Sequence, residues 1–153
     1  MDLNEKKNMV KYETYKALYD DLSRALRAGF YYQAIFVEYA ILEDRLTSLL
    51  KYAGIPHANK NGKEDKISRK IAKVRDRPEF ATKFVRDRIS TELMDEIREW
   101  TEERNKLIHD LANIPYDSEQ VKKVAEDGDR ILKVFKTKSA SVINRFKKQG
   151  SPV

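Results

Sequence analysis

From Val121 to Phe146 the chain sets Val121, Val124, Ala125, Ile131, Leu132, Phe135, Val142, Ile143 and Phe146 at helical spacing, with no proline and one glycine, Gly128, between them. Steps of three and four stack side chains on one face of a helix and would scatter them over both faces of a strand, so this run predicts one long amphipathic helix. Gly128 weakens that helix locally without ending it. "DSEQ" at 117–120 predicts its start, with Asp117 as N-cap and Gln120 reaching back in a capping box. Such punctuation is scarce throughout. With 5 Gly and 4 Pro in 153 residues, 37% charged and 41% hydrophobic, the composition suits long helices better than a many-stranded sheet.

The rest of the chain divides in the same way. A first helix is expected from about Asn4, its N-cap, to Arg27, with Gly29 as the stop; Val10, Ala17, Leu18, Leu22, Ala25 and Leu26 keep its period. A second runs from near Phe30 to Gly54, with Pro56 beyond it. Its apolar residues cover more than a narrow stripe, so it is expected to be the most buried. "HANKNG" at 57–62 reads as a loop. A basic helix follows with a thin apolar face of Ile67, Ile71 and Val74, and Pro78 opens a further short helix holding Phe80, Phe84 and Val85. Ser90 caps the next, along which Ile89, Leu93, Ile97, Trp100, Leu107, Ile108 and Leu111 fall at helical spacing until "NIPYD" ends it. Five to six helices with mostly short connections predict an all-α, up-and-down helical bundle. One domain over 1–148 suffices for this length, with 149–153 as a frayed tail.

Several chemistries are excluded. With no cysteine there is neither a thiolate metal site nor a cysteine nucleophile. The chain contains no phosphate-cradling glycine-rich loop, no HExxH and no GxSxG, and its two histidines stand 52 positions apart, so no metal and no cofactor is expected. The first ten residues lack the apolar stretch of a signal peptide and no 18 consecutive residues are apolar, so the expectation is a soluble, cytoplasmic protein that does not span a membrane. The net charge of +6 is unevenly spread. Residues 60–88 hold eleven basic against five acidic residues and 122–153 nine against three, whereas 89–121 hold three against nine. The two basic segments suit a polyanion such as RNA, or form a solvated face.

In "ERNKLIHDL", Arg104 lies four residues after Trp100, three before Leu107 and seven before Leu111, which puts a charge on the apolar stripe of its own helix. A guanidinium there needs a carboxylate, a phosphate or a polar interface, because burying it unpartnered is costly. One structural solution is a buried ion pair with Glu43 or Asp44. His109 can serve as general acid or base near neutral pH, or simply complement the dipole at a helix C-terminus. Asn105, four residues before it, shares its face and can orient it or hold a substrate oxygen. His57, in the loop with Lys60 and Lys63, reads as a surface histidine, and the eight tyrosines either pack or stack bases.

"RNKLIH" at 104–109 resembles the Arg-x4-His signature of the HEPN family, in which an arginine, usually followed by a polar residue, precedes a histidine. The context is similar too: a small helical chain, an aromatic-rich helix "YYQAIFVEYAILEDRL" upstream, and the signature late on the helix before the last one. The resemblance implies a homodimeric, metal-independent endoribonuclease of a toxin or antiphage-defence kind that leaves 2′,3′-cyclic phosphate ends. In it His109 would be the acid or base at the ribose 2′-hydroxyl, Arg104 would stabilise the phosphorane, and Asn105 would be the polar residue after the arginine. Some toxin members carry a tyrosine two residues after the histidine, where an antitoxin modifies it; here that position is Leu111, a departure from that pattern. The family also has noncatalytic members. The alternative is therefore a helical module that binds a partner protein or nucleic acid, or a regulatory member that binds RNA without cutting it. Five positions on one helix turn Arg104 and His109 about 140° apart, so a composite site needs two copies facing each other, or a helix that loosens before Pro115 to turn the histidine inward.

Overall fold

In a computed structural model, which describes residues 1–113 and 117–150, the chain folds as six α-helices: α1 (Leu3–Ala28), α2 (Tyr31–Tyr52), α3 (Ile67–Asp76), α4 (Lys83–Arg86), α5 (Thr91–Asp110) and α6 (Ser118–Gln149). A 3-10 turn at Pro78–Phe80 precedes α4. No strand occurs among the described residues, which makes this an all-α helical bundle, 80% helical. No helix among them is long and apolar enough to cross a membrane.

The two helices with the most buried residues pair. α2 packs along α6, α1 lies on α2, α3 fills the space between α2 and α5, and α5 closes against α6. Ile35, Ile41, Leu42, Leu46, Leu49 and Leu50 of α2 meet Val124, Ile131, Leu132, Phe135 and Val142 of α6 in one continuous core that also takes in Trp100 and Phe80. Fully burying each such side chain contributes about 1.5–3 kcal/mol, so the long spaced runs are what hold the bundle together.

The helix ends follow local chemistry, with some shifts from expectation. α1 is capped by Asp2 rather than Asn4: Asp2 accepts from the Glu5 amide and Glu5 returns the bond, a complete capping box two residues upstream. Gly29, at φ 77°, ends α1 in the left-handed conformation as expected, and the Phe30 amide then reaches the Ala25 carbonyl. α2 starts after Phe30 without any side-chain cap. The "HANKNG" loop is organised by Asn59, whose side chain accepts from the Asn61 and Lys63 amides. The single short helix expected after Pro78 is two pieces, because Thr82 caps α4 afresh through the Val85 amide. Ser90 caps α5 as expected, through the Leu93 amide.

At the start of α6, Asp117 accepts from the Glu119 and Gln120 amides, but the return bond from the Gln120 side chain is not made among the described residues. α6 runs unbroken through Gly128 and extends to Gln149, three residues beyond the apolar run that ends at Phe146. The Ile114–Pro115–Tyr116 part of the expected helix stop, and residues 151–153 of the expected tail, lie outside the described residues.

Gly128 has a packing reason. A Cβ there would lie 2.5 Å from Glu38 Oε1 and 2.7 Å from Trp100 Cζ2, so only glycine lets α6 approach α2 and α5 this closely.

Candidate functional site

α5 is buried along Leu93, Met94, Ile97, Trp100 and Thr101, and then rises out of the core: Leu107 and Ile108 are half-buried and Leu111 is exposed. The apolar stripe therefore fades at the position where Arg104 sits. Arg104 is half-buried rather than enclosed, and among the described residues it makes no ion pair. The expected partners are engaged elsewhere. Glu43 lies 3.6 Å from Lys70, and Asp44 lies 3.2 Å from Lys11 and accepts from the Tyr15 hydroxyl.

What Arg104 meets instead is aromatic. Its guanidinium lies 4.1 Å from the centre of the Tyr39 ring and 5.8 Å from that of Phe36, one turn apart on α2. Nη1 donates to Asn105 Oδ1 at 3.0 Å, while the buried Nε has no partner. Phe36 is 57% exposed, so the cation rests on an aromatic platform that is open on one side. Tyr39 is half-buried, and its hydroxyl pKa is raised, first by that burial and then by Glu43, against the opposing pull of Arg104 and Lys70.

Asn105 is exposed and also lines a shallow cavity of about 290 Å³ between α2, α3 and α5, with Tyr39, Glu43, Lys66, Arg98 and Glu102 around it. His109 is exposed on the last turn of α5. The helix stays regular through Asp110, so the loosening that would turn the histidine inward does not occur. Asn105 and His109 share one face of α5, and Arg104 points away from it by more than 90°. One copy of the chain thus joins Arg104 to Asn105 and leaves His109 apart.

His57 is not free either: its Nδ1 lies 3.0 Å from Glu64, which in turn holds the buried Lys70 at 2.6 Å. Lys70 also donates to Thr47 and neighbours Glu43, which explains a lysine on the inner face of α3. These groups form a structural network. No group of three or more His, Asp or Glu suited to a metal ion occurs among the described residues.

Glu38 is a second charge on an apolar stripe, three residues after Ile35 and three before Ile41 on α2, where periodicity places it inside. It is fully buried on α2, both carboxylate oxygens lack a partner, and burial, with Asp129 adding to it, pushes its pKa up to about 9. It is a neutral acid at physiological pH. The platform residues Phe36 and Tyr39 carry only a faint sequence signal, two aromatics three apart on a helix already rich in them.

Compared with protein-family models, curated proteins and solved structures, the chain matches none.

Proposed function

We propose that this chain is a metal-independent endoribonuclease of HEPN type that acts as a homodimer, with Arg104, Asn105 and His109 of both copies lining one cleft. The observation that carries this reading is the unspent cation. Among the described residues Arg104 has no carboxylate partner, and it lies half-buried on an open aromatic platform, as a group awaiting an anion would. Exposed Phe36 and Leu111 flank the region and suit contact with a second copy.

In the cleft, one His109 takes the proton from a ribose 2′-hydroxyl as that oxygen bonds to phosphorus. The P–O5′ bond breaks, and the second copy's histidine returns a proton to the leaving 5′-oxygen. Arg104 pairs with the negative phosphorane in between, which leaves a 2′,3′-cyclic phosphate and a 5′-hydroxyl. The acidic character of 89–121 favours a second reading, a noncatalytic module whose α5 face binds a basic partner protein.

Incubating RNA with the protein in EDTA tests the first reading. Wild type should cut and leave cyclic-phosphate ends, and His109→Ala should fold normally and fail to cut. Undiminished cleavage by His109→Ala would overturn it, and absence of cleavage by folded, dimeric wild type would favour the second.

A further inference from the structure

On another face of the bundle, α1, α2 and α6 enclose a groove of about 470 Å³ to which α5 contributes nothing. Its volume falls within the range of small-ligand pockets. Tyr12, Tyr15, Tyr19 and Tyr52 line it. So do five cations, Lys11, Lys16, Arg45, Lys136 and Lys147, against the single carboxylate of Asp20.

Three of the five cations stand without a carboxylate. Lys16, Arg45 and Lys136 have no carboxylate within ion-pair distance among the described residues; Arg45 donates to Ser139, and Lys136 is held only by the Tyr19 ring, 4.0 Å from its centre. Lys11, by contrast, is shared between Asp44 and Ser48. The rings divide into two kinds. Tyr15, Tyr19 and Tyr52 lie under cations, whereas Tyr12 is 70% exposed and, among the described residues, carries none. Positions 8, 12, 16 and 19 fall on one face of α1, which brings Tyr12, Lys16 and Tyr19 to the groove together.

We infer that this groove binds the phosphate-and-base unit of a nucleotide, the phosphate held by Lys16, Lys136 and Arg45 and the base stacked on Tyr12. A phosphate answers the surplus cations, and a planar base suits an exposed ring beside them; neither chemistry alone accounts for both. The same unit is offered by a free nucleotide and by a single strand. Neither case depends on cleavage or on the proposed site of α5.

The test titrates the full-length protein with 5′-AMP, adenosine, ribose 5-phosphate and a six-nucleotide deoxyadenylate, which lacks the 2′-hydroxyl and so cannot be cut. AMP or the strand should bind more tightly than adenosine or ribose 5-phosphate. Lys16→Glu with Lys136→Glu, and separately Tyr12→Ala, should each weaken that binding about tenfold. Lys60→Glu with Lys123→Glu, an equal charge change at exposed positions elsewhere, should weaken it less than about twofold. Binding of AMP as tight as that of the strand would identify a free nucleotide as the ligand; binding of the strand alone would identify single-stranded nucleic acid. Ribose 5-phosphate bound as tightly as AMP, equal weakening by the control variant, or no binding of either probe would overturn the inference.

Discussion

Arg104 stacks on Tyr39 and pairs with no acid among the described residues, and this sets what its removal costs. Orphaning a buried ion partner would cost about 3–5 kcal/mol, whereas losing a half-exposed cation–π contact costs about 0.5–1 kcal/mol. Arg104→Ala should therefore lower the melting temperature by only about 1–4 °C, which differential scanning calorimetry checks; a far larger drop would point to an ion pair. Glu38 makes the opposite prediction. Its folded pKa of about 9 stands above the ordinary 4.5, so between those values the folded chain holds a proton that the unfolded chain has released. Stability from this group is thus present at low pH and lost as pH rises through that window. Glu38→Gln should flatten the decline and be about 2–4 kcal/mol more stable than wild type near pH 8.5, with little difference near pH 5, as read by urea unfolding at each pH. That Arg104 is unusual is legible in the sequence, since a charge interrupts an apolar stripe. What it touches is not, because the meeting of α5 with Phe36 and Tyr39 depends on how two helices cross.

The elements themselves are largely legible, since apolar periodicity and burial are the same physics seen before and after folding. The apolar run expected of α6 is buried from Val121 to Ile143, with Phe146 half-buried at its edge. The misplacements lie at helix ends, where one side-chain bond decides: Asp2 outcompetes Asn4 because Glu5 completes its box, and Thr82 splits the short segment after Pro78. Gly128 is the position where local propensity and packing disagree most. Alanine there gains about 1 kcal/mol of helix propensity, yet its Cβ would collide with Glu38 and Trp100, and overpacking typically costs about 1–3 kcal/mol. Both neighbours are held in the core, Trp100 by its indole N–H bond to the Val124 carbonyl. Gly128→Ala is therefore expected to be destabilising on balance, by about 1–2 kcal/mol in chemical denaturation, and a stabilised variant would mean that α6 can shift away from α2.

For the molecule as a whole, charge and geometry pull in different directions. α5 carries the proposed chemistry within an acidic segment, while α3, α4 and α6 belong to the basic ones, so RNA reaching α5 would be guided by its neighbours rather than by α5 itself. A single copy also separates Arg104 from His109 around the helix, so the proposed activity belongs to a pair of chains. The most direct measurement follows cleavage of a short oligoribonucleotide in EDTA over protein concentrations that span dissociation of the proposed dimer, with the termini identified by mass spectrometry. The rate per chain should rise with dimer fraction and yield only 2′,3′-cyclic phosphate ends. A rate per chain that stays constant as the dimer dissociates, or no cleavage by the folded dimer at any concentration, would contradict a composite site built from Arg104, Asn105 and His109.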